Sequence, residues 1–272
     1  MTNSRDLKVA IGGFGAIGKN LAMALDDGVE GLSLVAVSAR DKEKAHKKLN
    51  IFSSPVRVVD LPNLAELADI VVECCPAAHF AEVAKPAVEL GRIFVPSSVG
   101  ALLDYMYLVD RARETGARII APTGALLGLD AVRAAAEGNI HEIRIITNKP
   151  PGGLAGAPYI VANGIDLDAI AVPTLIFSGT ARQAIKGFPA NVNVAVALSL
   201  AGVGPDKTMV EIWANPTVTR NIHRIVCESD SANFEMKIEN IPSPENPRTG
   251  LITGLSVLAC LRGLISPLHV GT

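Results

Sequence analysis

The sequence predicts an α/β chain: a doubly wound parallel sheet covered by helices, followed by a second, mixed α+β domain. Three observations lead there. Apolar, β-rich runs alternate with helical stretches through the first half of the chain. Those runs are continuous rather than alternating, the mark of strands buried on both faces. The second half then changes character, with strands that alternate polar and apolar residues around a Gly/Pro-rich stretch. At 272 residues the chain has the length of about two domains.

In order, residues 7–12 read as a strand, 16–26 as a helix, 32–39 as a strand and 41–49 as a charged helix. Residues 56–61 form a short strand and 69–75 (DIVVECC) another, followed by a helix over 77–90 that contains Pro86. Strands over 92–97 and 117–121 flank a helix over 102–115. Strand–helix alternation at this period implies right-handed βαβ units. Beyond it, 129–137 is helical and 141–148 (HEIRIITN) alternates as a half-buried strand. The loop Lys149–Pro158 follows, of a kind that runs over the surface and often carries function. A helix over 191–203 precedes three antiparallel strands, 208–214, 217–229 and 233–239. Residues 241–247 form a Pro-rich linker, and 249–264 an apolar helix. This places a dinucleotide-binding domain at 1–124 and 245–272, the last helix returning to it. A substrate and catalytic domain, also the expected dimerisation domain, spans 125–244.

Composition narrows the function. Hydrophobic residues make 49% and charged residues 19%, so the chain is not disordered. A net charge of −2 and a pI near 6.2 disfavour a nucleic-acid binder, and 4% aromatics leave few stacking platforms for single strands. No uninterrupted apolar run of about 18 residues spans a membrane, and no signal peptide is expected at the start. Cys74, Cys75, Cys227 and Cys260 match neither zinc nor disulfide spacing, so no metal is expected. Reduced, mostly buried thiols fit a cytoplasmic protein.

The sharpest motif is Gly13-Phe14-Gly15-Ala16-Ile17-Gly18, a G-x-G-x-x-G between a strand and a helix at the chain start. Gly13 permits a tight turn, Gly15 lets the backbone approach a pyrophosphate, and Gly18 lets helix and strand pack closely. The helix start at Ala16 and Ile17 offers N–H groups and a positive dipole end to phosphates. The context implies a Rossmann dinucleotide-binding fold. An acid ending the second strand would hold the ribose hydroxyls of NAD. Here that strand runs Val37-Ser38-Ala39-Arg40-Asp41, with no acid at its end. Arg40 is either a 2′-phosphate partner or a solvated helix-start charge. The site reads as NADP-capable, with both NAD and NADP open.

Among five histidines, His223 stands out. On a strand over 217–229 it shares a face with Thr219, Asn221, Ile225 and Cys227. A histidine there titrates near neutral pH and can move a proton. The competing reading is a hydrogen-bonded surface histidine. His79, at a helix start, is either structural or near the cofactor.

The sequence resembles the L-aspartate dehydrogenase family over nearly its whole length. The resemblance rests on the Gly13–Gly18 loop, Pro122-Thr123-Gly124-Ala125-Leu126-Leu127-Gly128-Leu129-Asp130 and Thr147-Asn148-Lys149-Pro150-Pro151. It rests further on Phe188-Pro189-Ala190-Asn191-Val192-Asn193-Val194-Ala195, the strand bearing His223, and Asn246-Pro247-Arg248-Thr249. It implies that Ala125 and Asn191 contact the nicotinamide end of the cofactor and that His223 is catalytic. Lys149 and Asn193 are the candidate substrate contacts. Lys149 rests on charge and loop position, against a solvated loop lysine. The implied reaction is NAD(P)-dependent oxidation of L-aspartate to iminoaspartate, released as oxaloacetate and ammonia, and feeding NAD biosynthesis. The expected partners are this small substrate and a second copy of the chain in a homodimer, with the site in the cleft between the domains. The alternatives are an oxidoreductase of dihydrodipicolinate reductase-like or homoserine dehydrogenase-like type, and a non-enzymatic NAD(P) sensor.

Overall fold

The computed structural model describes residues 6–189, 192–246 and 249–271. The described chain forms two compact units. The first takes the residues up to Pro122 together with Thr253–His269, and the second those from Thr123 to Ile252 with Val270 and Gly271.

In unit 1, six strands are named β1 (Leu7–Gly12), β2 (Leu32–Ser38), β3 (Arg57–Val58), β4 (Ile70–Glu73), β5 (Ile93–Pro96) and β6 (Arg118–Ile119). They form one sheet in the order β3-β2-β1-β4-β5-β6. Every pair in it is parallel. That order is the doubly wound arrangement, reversing between β1 and β4. Helices α1 (Ala16–Asp26), α2 (Lys42–Leu49), α3 (Leu64–Leu67), α4 (Phe80–Glu89) and α5 (Tyr107–Thr115) make the crossovers. The continuous apolar runs are buried as expected: Val9, Ala10, Ile11, Ile70, Val71 and Val72 are all fully buried. The run over 56–61 yields only two strand residues, because Leu61-Pro62-Asn63 turns into a short 3-10 helix with Pro62 in its first turn.

Unit 2 contains α6 (Leu129–Ala136), β7 (Ile140–Lys149), α7 (Pro158–Ala162), β8 (Thr174–Thr180), α8 (Ala181–Gly187) and α9 (Asn193–Ala201). It continues with β9 (Met209–Ala214), β10 (Ile222–Ser229) and β11 (Asn233–Glu239). The sheet order is β11-β10-β7-β9-β8. The three strands expected to be antiparallel are so only in part, since β9 runs parallel to β7. β8 and α8 lie between the loop and the helix expected from the sequence. α8 is nevertheless closed by a full capping box between Thr180 and Gln183. Phe177, Phe188 and Tyr159 form an aromatic cluster with centroids 5.3–5.6 Å apart. Burying each such ring stabilises the unit by about 1.5–3 kcal/mol.

The last helix, α10 (Leu251–Gly263), buries Val257 and Leu261 in the core of unit 1. The division at Ile252/Thr253 lies inside this helix rather than at residue 244. The reason is local. Ser243 N–H bonds the Thr249 carbonyl and Leu251 N–H the Ile241 carbonyl, folding the linker back on itself within unit 2.

Candidate active site

The phosphate loop of unit 1 is built by close backbone approach. Gly13 has φ 109°, and a Cβ there would sit 2.6 Å from the Cys74 carbonyl oxygen. A Cβ on Gly18 would lie 1.9 Å from the Gly13 carbonyl oxygen, so only glycine lets α1 start where it does. The loop is tied to both neighbouring strands: Gly13 N–H donates to Ser38 O (3.0 Å) and Cys74 N–H to Gly12 O (2.7 Å). Gly15 differs. A Cβ there would meet nothing within 4 Å. The protein leaves open space over the N-terminus of α1, whose first turn, with Ala16 and Ile17, holds no acidic residue. First-turn N–H groups have no intrahelical partner, so this is a fit for phosphate.

At the end of β2, Ser38 is buried and Arg40 exposed. Asp41 is committed elsewhere: its carboxylate caps α2 by accepting from Lys44 N–H at 2.9 Å. No acid is available there as ribose reader. Sequence reasoning missed Glu73, fully buried at the end of β4. Its carboxylate accepts from Cys75 N–H (2.9 Å), Ser98 N–H (2.8 Å) and Ser98 Oγ (3.1 Å). Burial pushes its pKa up against the pull of these donors. It clasps the loops after β4 and β5, beside Gly12 in the sheet register. A lone acid closing an otherwise apolar strand was the available signal. His79 is exposed and contacts Glu82 at 2.7 Å.

In unit 2, β7 pairs antiparallel with β10 and places Thr147 opposite His223. Thr147 Oγ1 and His223 Nδ1 lie 3.0 Å apart. Both residues are buried, at 4% and 3% exposure, and so is Lys149 at 5%. This corrects one expectation, a polar face around His223, and removes one competing reading, a solvated Lys149. His223 is not on a polar surface face, since its row on β10 continues through buried Ile225, Cys227 and Ser229. Thr219 and Asn221 precede the strand, which starts at Ile222. Lys149 is no solvated loop residue either: it is the last residue of β7, on the inward row of Ile143, Ile145 and Thr147.

Electrostatics follow from that burial. Desolvation lowers the Lys149 ammonium to about 8. Desolvation first, and the nearby Lys149 charge second, lower the His223 imidazole to about 3. His223 therefore does not titrate near neutrality. It is a neutral imidazole throughout the physiological range, with a cation beside it.

Lys149 lines a pocket of about 270 Å³ together with Pro150, Thr219, Arg220, Asn221, Asn240 and three glycines, Gly152, Gly153 and Gly250. Such a volume suits a small polar molecule. Asn240 links it to the Ala125 turn, its Nδ2 donating to the Ala125 carbonyl at 3.1 Å. Asn193 opens α9, half-buried, and is not among the described pocket residues. Asn191 lies outside the described residues. Among the described residues no His/Cys/Asp/Glu cluster could hold a metal, and no helix is long and apolar enough to cross a membrane. The four cysteines are free thiols.

A glycine-rich phosphate loop on a doubly wound sheet, with a buried imidazole and ammonium in the second unit of the same chain, defines a nicotinamide-nucleotide-dependent oxidoreductase. The family described as "Aspartate dehydrogenase, C-terminal" matches residues 130–264, and "Homoserine dehydrogenase, NAD binding domain" matches residues 13–122. A Bradyrhizobium diazoefficiens protein named L-aspartate dehydrogenase is 58% identical over 271 residues, spanning 100% of this chain and 96% of its own. A Bordetella bronchiseptica protein named L-aspartate dehydrogenase 3 is 49% identical, with 100% of both chains covered. The crystal structure of aspartate dehydrogenase from Thermotoga maritima is 28% identical, covers 98% of this chain and 100% of its own, and superposes with a TM-score of 0.74. The chain belongs to the L-aspartate dehydrogenase family.

Proposed function

We propose that the protein oxidises L-aspartate with NAD or NADP to iminoaspartate, which water converts to oxaloacetate and ammonia. The observation that carries the reading is the buried His223–Thr147 pair, with Lys149 two residues further along β7 and lining a small pocket. Bound NAD(P)⁺ supplies the hydride acceptor for the substrate Cα–H. The Gly13–Gly18 loop and the first turn of α1 hold its pyrophosphate, and Ala125 and Asn191 contact its nicotinamide end.

Lys149 binds a substrate carboxylate as a desolvated cation, where a charge-assisted hydrogen bond is strong. Asn193 is a second substrate contact. His223, neutral and fixed at Nδ1 by Thr147, presents Nε2 as the atom that takes a proton from the water attacking the imine. When a carboxylate neutralises Lys149, one of the two causes holding His223 down is removed, and its basicity rises with substrate in place. In the reverse direction the same Nε2–H returns the proton to the departing hydroxyl.

Arg40 takes the 2′-phosphate of NADP, a reading supported by the absence of an acid at the end of β2. The protein acts in the cytoplasm, in NAD biosynthesis. It is a homodimer, and exposed Val172, Leu175 and Met209 around edge strand β8 support an apolar contact between copies. The test is L-aspartate-dependent appearance of reduced nicotinamide absorbance, with NAD and NADP in parallel. Absence of turnover with both would refute the reading.

A further inference from the structure

The pocket of unit 2 contains two charged side chains among its described lining residues, Lys149 and Arg220, and both are cations. No Asp or Glu is among them. The two differ in setting. Lys149 is buried at the end of β7, whereas Arg220 is exposed just ahead of β10. The segment carrying Arg220 is nevertheless fixed. The next residue, Asn221, accepts the Asn240 N–H at its carbonyl (2.9 Å), and the following pair, Ile222 and Glu239, opens the β10–β11 ladder. The guanidinium therefore sits on a rim whose backbone the sheet holds in place. Glu239, the acid whose charge state responds to Arg220, is engaged first by Lys237 at 2.7 Å.

Two cations at different depths on one small pocket match a ligand with two anionic groups a few bonds apart. We propose that Arg220 is the specificity-determining residue for the second carboxylate of the substrate, the one that Lys149 does not hold. The inference rests on the reading of this pocket as the aspartate site and extends it: the site selects dicarboxylates over amino acids with a neutral side chain. A planar guanidinium suits the task, because it meets a carboxylate with two parallel N–H donors and stays charged at every working pH. A ligand with one carboxylate gives up one of the two contacts. Its loss in affinity measures the second contact.

The test replaces Arg220 by Met, which keeps the length and apolar stem but removes the donors, and by Lys. Turnover is measured with L-aspartate and with L-asparagine, whose side chain is the neutral amide of the same shape. Loss of one charge-assisted contact corresponds to about 10–100-fold. Arg220→Met should lower kcat/KM for L-aspartate by that factor, mostly through KM, and shrink the aspartate-over-asparagine preference equally. Arg220→Lys should restore part of both. An unchanged preference, or an equal loss for both amino acids, would overturn the proposal. Calorimetric binding of succinate separates it from the reaction itself. Weaker succinate binding in Arg220→Met supports the assignment even if L-aspartate proves not to be oxidised, a result that counts against the activity alone. Equal succinate affinity in wild type and variant would overturn the assignment, whatever the turnover.

Discussion

The loop of unit 1 and the cluster of unit 2, the proposed cofactor and substrate sites, are built by opposite chemistry. In the loop, recognition is a property of the backbone. Gly13 and Gly18 allow contacts that no side chain permits, Gly15 leaves space, and the exposed N–H groups of α1 carry no ionisable group. In the cluster, three polar side chains are buried at 3–5% exposure on adjacent strands, and burial sets the charge states of Lys149 and His223. The first design carries no titrating group on the loop and admits no added carbon at Gly13 or Gly18. The second depends on the protonation states of His223 and Lys149. On the proposed assignment, binding energy and proton chemistry are separable by mutation.

The largest expected effect is at His223. His223→Ala should lower kcat by about 10²–10⁴-fold, the usual worth of a positioned acid–base group, with Asn no better because an amide cannot take the proton. Because burial holds His223 neutral down to about pH 3, no acid limb near neutrality should come from the free histidine. Steady-state rates between pH 5 and 8, read on wild type and variant, check both statements.

Gly15→Val comes next. Nothing in the protein meets a side chain at Gly15, so the fold should survive by circular dichroism while affinity for NAD and NADP falls by about 10²-fold or more. Retained affinity would remove the loop from the site. Thr147→Val tests orientation. With the hydrogen bond to Nδ1 gone, kcat should fall by about 10-fold with KM nearly unchanged, and Thr147→Ser should restore it.

The smaller effects are electrostatic. Lys149 is a cation below about pH 8 and neutral above it, so succinate affinity should decline as pH rises through that value. A flat profile from pH 7 to 9 would show that Lys149 does not bind the carboxylate. Arg40→Ala should weaken NADP by about 10-fold and leave NAD unchanged, as read by titration; equal loss of both would remove Arg40 as the 2′-phosphate partner.

The contrast also explains what could be read from the sequence. The parallel sheet and its loop were legible because continuous apolar runs and glycine spacing are local signals, and backbone conformation follows directly from them. Glu73 escaped, though an acid ending the run DIVVE had no solvated face to occupy. In unit 2 the residue types were visible and their environments were not. Lys149 looked like loop because Pro150 follows it, yet the period of two through Ile143, Ile145 and Thr147 continues to it and turns it inward. A strand starting at residue 217 gives His223 the polar row-mates Thr219 and Asn221. The strand starts at Ile222, and the inward row of β10 is Ile225 and Cys227. Burial depends on which strand lies opposite, which only the sheet order determines.

One measurement bears most directly on the separation of the two regions: cofactor dissociation constant and single-turnover rate, both measured on Gly15→Val and on His223→Ala. The account predicts a crossed result. Gly15→Val loses cofactor affinity, and its rate recovers toward wild type as cofactor is raised. His223→Ala binds cofactor as wild type does and stays slow at saturation. If His223→Ala weakens cofactor binding as much as it slows turnover, or turns over normally at saturation, the division of labour is wrong.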